Sequence, residues 1–195
     1  MNFFEVFELP RRLAIDADEL QRRFYALARR THPDFHQSAP PAERAAVEER
    51  AALVNAAYRT LRDPIARADY LVRLEEGRST REGSASRPKA PPALLAEMFE
   101  IQEALAEAKA GPLDDTTRAT LIEQRDRLRE RHAAEEARLS GPLAARWDGA
   151  AEAERPAALA ALKEALAARA YLRTVIADLA EALGEEESGV AHHRH

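Results

Sequence analysis

Residues 15–34, IDADELQRRFYALARRTHPD, decide how this chain folds. Asp16 with Glu19 three residues on forms a capping box, and Ile15 with Leu20 brackets the entry as a hydrophobic staple, so a helix starts at Ala17. Leu20, Phe24 and Leu27 then recur at i, i+4 and i+7 as a narrow apolar stripe, while Arg22, Arg29 and Arg30 fall opposite or oblique to it. Pro33 disfavours helical geometry at His32, so the helix ends near Thr31. The stretch reads as an amphipathic, basic helix that runs into His32-Pro33-Asp34.

Downstream, Pro40 and Pro41 open a segment in which Val47, Ala51, Val54, Tyr58 and Leu61 step by 4, 3, 4, 3, the seam of a helix packed on a partner. The spacing predicts an antiparallel hairpin with the first helix. Asp63 before Pro64 stops the second helix and caps a third, Pro64 to about Leu74, which carries Ile65, Tyr70, Leu71 and Leu74. Upstream, Phe3, Phe4, Val6, Phe7 and Leu9 supply the remaining apolar lid.

Beyond Glu75 the pattern changes. EGRSTREGSASRPKAPP (Glu76–Pro92) is rich in Gly, Ser, Pro and Arg and has no hydrophobic period, so residues 76–91 read as a linker between a domain over 1–75 and another over 92–184. Charge divides the chain the same way: Met1–Glu75 holds twelve basic and twelve acidic residues, Pro92–His195 thirteen basic and twenty acidic. Three helical segments are expected in the second half: Pro92 to about Ala110, stopped by Gly111-Pro112; Thr116 to Leu139, stopped by Ser140-Gly141-Pro142; and Pro156 to Leu183 before Gly184. Three such segments suggest a three-helix bundle, with residues 185–195 as a disordered tail. The fold class expected is all-α.

Composition narrows function. The 195 residues include no Cys, which excludes disulfides, thiolate nucleophiles and protein-thiolate metal or iron–sulfur ligation. A net charge of -5 gives no electrostatic reason to bind nucleic acid or anionic lipid, and charges interrupt every long apolar run, so neither a nucleic-acid nor a membrane partner is expected. MNFFEVFELPRR (Met1–Arg12) lacks the basic start of a secretory signal, which points to the cytoplasm.

The most informative pattern of the second half is LLAEMFEIQEALAEA (Leu94–Ala108). Leu94, Met98, Ile101, Leu105 and Ala108 fall within about 80° of a helical wheel and form a core stripe. Leu95 and Phe99 lie one wall further round, beside Ala96, Glu100, Glu103 and Glu107. Apolar anchors rimmed by acids fit a protein-binding patch; the alternative is that the third helix of the bundle bends across Leu95 and Phe99 and buries them.

The His32-Pro33-Asp34 loop after a basic helix, followed by VNAAYRTLRDP (Val54–Pro64), resembles the J-domain over about 70 residues. The resemblance implies that the loop docks on the ATPase domain of a DnaK/HscA-type chaperone and promotes its ATP hydrolysis, with Arg22, Arg29 and Arg30 steering an acidic partner surface; by itself such an Arg cluster is an ordinary solvated face. Pro33 stiffens the loop, which lowers the ordering cost of presenting His32 and Asp34. The chain departs from the J-domain pattern at Phe35, Thr31 and Ala26, where basic, aromatic and basic residues are usual, which implies weakened or specialised coupling. No nucleophile or ordered carboxylate set surrounds His32, so no catalytic role is expected.

J-domain first and acidic bundle second, the whole chain resembles the HscB family of J-domain co-chaperones of iron–sulfur cluster assembly. That resemblance implies that Leu95, Ala96, Phe99, Glu100, Glu103 and Glu107, with Tyr171 from the last helix, hold an IscU-type scaffold, with no cofactor or metal on this chain. Two anchors contributing ~1.5–3 kcal/mol each against association costs of ~4–15 kcal/mol imply weak, releasable binding. Two other readings remain: a J-domain protein recruiting a different client, and a helical adaptor whose J-domain is weakened. His132 is expected to pack with a hydrogen bond, Trp147 to sit where the middle helix turns towards the last, and the His-rich tail at 191–195 to bind no specific metal.

Overall fold

The computed structural model describes residues 1–32, 40–77, 99, 101, 103, 105–106 and 114–184. Among them every regular element is helical: α1 (Phe3–Val6), α2 (Ala17–Arg30), α3 (Pro41–Arg62), α4 (Pro64–Glu75), α5 (Asp115–Arg138), a π-helical turn (Leu139–Leu143), α6 (Ala144–Gly149), a 3-10 turn (Glu152–Glu154) and α7 (Arg155–Ala182). Residues 99, 101, 103, 105 and 106 are helical as well. Contacts divide the chain into two compact units, Met1–Glu82 with Leu139–Lys163, and Gly83–Arg138 with Glu164–His195.

In the first unit, local chemistry sets the helix ends. The Asp16 carboxylate accepts from the Asp18 and Glu19 amides at 2.9 and 3.0 Å, so α2 starts at Ala17 as its cap predicts. Only half of the expected capping box stands out, because the Glu19 carboxylate is engaged by Arg23. Thr31 closes α2 by donating both its amide and its hydroxyl to the Leu27 carbonyl. Asp63 ends α3 and caps α4, accepting from the Ile65 and Ala66 amides at 2.8 Å each, with Pro64 in the first helical position where no amide is missed.

The hairpin seam is as expected in place but unequal in depth. Leu20, Val54, Ala57 and Leu61 are buried, Val47, Ala51 and Leu27 are half-buried, and Phe24 stacks on Tyr58 with ring centroids 4.0 Å apart. The lid forms a short helix, α1, that periodicity does not announce. It buries Phe4 and Val6 with Phe7 just beyond, and the Phe3 amide donates to the Tyr70 hydroxyl at 2.8 Å while the two rings stack. Arg23 braces the following turn, where Glu8 adopts a φ of 53°, by donating to the Phe7 and Glu8 carbonyls at 2.6 and 2.9 Å.

The largest departure from the sequence reading concerns residues 139–163. They were grouped above with the second half, yet they pack into the first unit. Ser140-Gly141-Pro142 does not stop the helical path either: the backbone widens into a π turn around Pro142, which has no amide for an i−4 bond, and continues into α6. Leu139 and Leu143, four residues apart, are both buried, and Trp147 follows on the same face. The Asp148 carboxylate accepts from the Leu13 and Ala14 amides at 2.8 and 2.7 Å.

In the second unit, Leu121 and Leu128 of α5, Leu172, Val175, Leu179 and Leu183 of α7 and the neighbouring turn, and Ile101 and Leu105 share one core. Asp114 precedes α5 and accepts from the Thr117 amide at 2.7 Å, which holds its carboxyl below the usual carboxylate range. Arg169 of α7 reaches Glu136 of α5 at 2.8 Å, and Arg118 donates to the Leu183 carbonyl at 3.1 Å. Past Ala182 the chain turns through Gly184 at a φ of 71°, the left-handed geometry that favours glycine after a helix.

Candidate functional site

The first unit presents α2. About 100° of rotation per residue puts Leu20, Phe24 and Leu27 on the core side and Arg22, Tyr25 and Arg29 together on the opposite side. Arg22, Arg29 and Arg30 are exposed, and His32 is exposed just past the Thr31 cap. Pro33, Asp34 and Phe35 lie outside the described residues. Arg29 and Arg30 sit in the last turn of α2, where cations also complement the helix dipole. Thr31 spends its hydroxyl on its own helix rather than on an outward contact.

Two further residues of α2 bear on that face. Tyr25 is 61% exposed between Arg22 and Arg29, an aromatic ring on the charged face. The available signal was its i+3 and i−4 spacing from those arginines. Arg23, adjacent to Arg22 in sequence, turns inward to the carbonyls that follow α1.

The second unit presents the 99–106 segment. Ile101 and Leu105 are buried in the shared core, whereas Phe99, about 160° round the helix from Ile101, is 72% exposed. Glu103 and Ala106 lie on the same outward wall and are exposed. At Phe99, therefore, the alternative in which the bundle closes over this wall does not occur. Leu95, Ala96, Glu100 and Glu107 lie outside the described residues. Tyr171 is half-buried against the core that also receives Ile101 and Leu105. Two residues along from Arg169, which pairs with Glu136 of α5, it lies about 160° round α7 from that arginine.

His132 corrects one expectation. It is half-buried, but its Nε2 has no hydrogen-bond partner and lies 3.9 Å from the Glu136 carboxylate. Burial pulls its pKa below the ordinary value, Glu136 opposes that pull, and Arg169 and Arg173 reinforce it. Among the described residues no three His, Cys, Asp or Glu side chains are grouped to hold a metal ion, and no helix is long and apolar enough to cross a membrane. Trp147 is buried under the Arg155 guanidinium, 5.4 Å from the ring centroid, beside a cleft lined by Glu75, Ala150, Glu152 and Leu159.

Comparison with known proteins divides the chain along the sequence, with the second match running past Arg138 into residues that pack in the first unit. Residues 2–70 match the DnaJ domain, and residues 90–155 match the HSCB C-terminal oligomerisation domain. A co-chaperone protein HscB homolog of Bordetella avium is 37% identical over 129 residues, 66% of this chain and 73% of that protein. One of Burkholderia mallei is 35% identical over 155 residues, 79% of this chain and 85% of that protein. Among solved structures, chaperone HscB from Vibrio cholerae has a TM-score of 0.59 at 25% identity, over 93% of this chain and 96% of that one. Human co-chaperone protein HscB shares the fold, with a TM-score of 0.61 at 22% identity over 92% of this chain and 80% of that one.

Proposed function

The chain belongs to the HscB family of J-domain co-chaperones, and from that premise we propose that it joins two partners: a DnaK/HscA-type ATPase chaperone at residues 1–75 and an IscU-type iron–sulfur scaffold at residues 92–184. Like its family it is a co-chaperone, not an enzyme; the ATP chemistry belongs to the chaperone, and the cluster to the scaffold. It acts in the cytoplasm and carries no cofactor.

At the chaperone end, Arg22, Arg29 and Arg30 steer an acidic surface, and His32, Pro33 and Asp34 make the contact that promotes hydrolysis. At the scaffold end, Leu95, Ala96 and Phe99 are the apolar anchors, Glu100, Glu103 and Glu107 the acidic rim, and Tyr171 the second wall. The observation that carries this reading is Phe99, an aromatic side chain left 72% exposed on a helical segment whose Ile101 and Leu105 are buried. A ring kept in water beside a filled core is more useful to a partner than to the fold.

The test is steady-state ATP hydrolysis by a DnaK/HscA-type chaperone, with and without the scaffold. Wild type stimulates alone and more strongly with scaffold, His32→Gln stimulates in neither case, and Leu95→Ala/Phe99→Ala loses only the scaffold-dependent increment. Stimulation that never responds to scaffold assigns the second half to another client. Wild type that never stimulates leaves an adaptor without a working J-domain.

A further inference from the structure

Asp148 belongs to neither face described above. It falls within the residues that match the C-terminal family domain, yet it works on the other end of the chain. One carboxylate oxygen accepts from the Leu13 amide at 2.8 Å and the other from the Ala14 amide at 2.7 Å, the two peptide groups that lead into Asp16, the cap of α2. Leu13 is buried there, and α6 is anchored by buried Trp147 next to Asp148. Underneath, the buried Arg67 guanidinium donates to the Leu61 carbonyl. Burial pulls Arg67 below its ordinary pKa, and the carboxylates of Asp148 and then Asp63 oppose that pull. Two parts of the chain that are distant in sequence, the approach to α2 and α6, thus meet at one carboxylate, whose charge also acts on Arg67 of α4.

The chaperone-facing helix depends on such an anchor more than its neighbours do. Leu20 is the one fully buried side chain of α2, and Phe24 and Leu27 are half-covered. Its far end carries Arg29, Arg30 and His32 into solvent. Phe24 on Tyr58 and Arg23 on the Phe7 and Glu8 carbonyls hold the middle of α2, so its entry sets the remaining freedom of direction, and a looser entry swings the far end. Two charge-assisted hydrogen bonds to adjacent amides fix that entry in both position and direction.

We propose that Asp148 is a positioning residue for α2, by which the C-terminal family domain orders the face that meets the chaperone. The functional part of this inference rests on the proposed chaperone partnership; the clamp itself does not. A loosened α2 still carries His32 but must be ordered during docking, which weakens association and leaves the step after docking intact.

The experiment uses the full chain as wild type, Asp148→Ala and Asp148→Asn. Amide hydrogen exchange at Leu13 and Ala14 is read by NMR alongside the Leu71 and Leu128 amides, and chaperone ATPase is titrated with each protein. Asp148→Ala speeds exchange at Leu13 and Ala14 about tenfold or more, the loss of charge-assisted hydrogen bonds, without speeding it at Leu71 or Leu128. It raises the concentration for half-maximal stimulation several-fold and leaves maximal stimulation unchanged. Asp148→Asn, which keeps one carbonyl acceptor, recovers part of both effects. Unchanged exchange at Leu13 and Ala14 overturns the clamp. Faster exchange with an unchanged half-maximal concentration overturns the positioning role, as does faster exchange at Leu71 in both variants, which would make Asp148 a general stability residue. If wild type stimulates no chaperone, the proposed function fails instead, and the exchange pattern still supports or overturns the clamp.

Discussion

The two presenting surfaces of this molecule are built on opposite principles. The outward side of α2 is arginine around one tyrosine, on a helix with a single fully buried side chain. The outward side of the 99–106 segment is a phenylalanine and a glutamate, on a segment whose inner residues are buried in a core shared with α5 and α7. The first is suited to long-range attraction followed by ordering; the second is a fixed apolar anchor with a charged rim. The proposed function, to meet one partner quickly and hold another weakly but specifically, uses both kinds of surface, and the difference supplies ways to break them one at a time.

The largest effect is expected from His32→Gln, which lowers chaperone ATPase stimulation at least about thirtyfold, the loss of about 2 kcal/mol or more at the contact. Scaffold affinity, measured by calorimetry, stays at the wild-type value. Next is Phe99→Ala, which removes an anchor contributing about 1.5–3 kcal/mol and weakens scaffold binding about ten- to hundredfold; scaffold-free stimulation is untouched. An equal loss of both activities in either variant would erase the distinction between the surfaces.

Smaller effects sharpen the comparison. Arg22→Ala/Arg29→Ala raises the half-maximal concentration for stimulation about two- to fivefold, and raising ionic strength reproduces the change in wild type but not in the double variant. The scaffold end, resting on Phe99, responds less to salt in the same titration. The smallest effect belongs to His132 in the second unit, whose pKa lies below its ordinary value of 6.5 when folded. Its unfolded form takes up a proton first as pH falls, so its stabilising contribution is complete above about 6.5 and declines as pH drops towards the folded value. Melting temperature should therefore fall slightly between pH 7.5 and 5.5 in wild type and fall less in His132→Leu.

What could be read in the sequence tracks how local the cause was. Asp16, Pro33 and the Asp63-Pro64 pair act within a few residues, and the ends of α2, α3 and α4 followed from them. Ser140-Gly141-Pro142 misled for the complementary reason: its local tendency to stop a helix is overridden by burial of Leu139 and Leu143, which only the folded neighbourhood provides. Arg22 and Arg23 look equivalent in the chain, yet one faces water and the other reaches carbonyls sixteen and fifteen residues upstream. Asp148 sits 135 residues from the amide of Leu13 that it holds. No periodicity carries that distance. At the proposed scaffold face, helical spacing alone separated Phe99 from Ile101 and Leu105, because a buried stripe and its outward wall differ by a fixed angle.

The central claim is that both surfaces act within one molecule, and mixing two broken ones tests it most directly. Phe99→Ala and His32→Gln proteins are combined in equal amounts with chaperone and scaffold, and ATP hydrolysis is compared with wild type at the same total concentration. The account predicts that the mixture gives the scaffold-free stimulation due to Phe99→Ala and no scaffold-dependent increment. Full recovery of that increment would show that the two surfaces need not be joined in one chain and would contradict it.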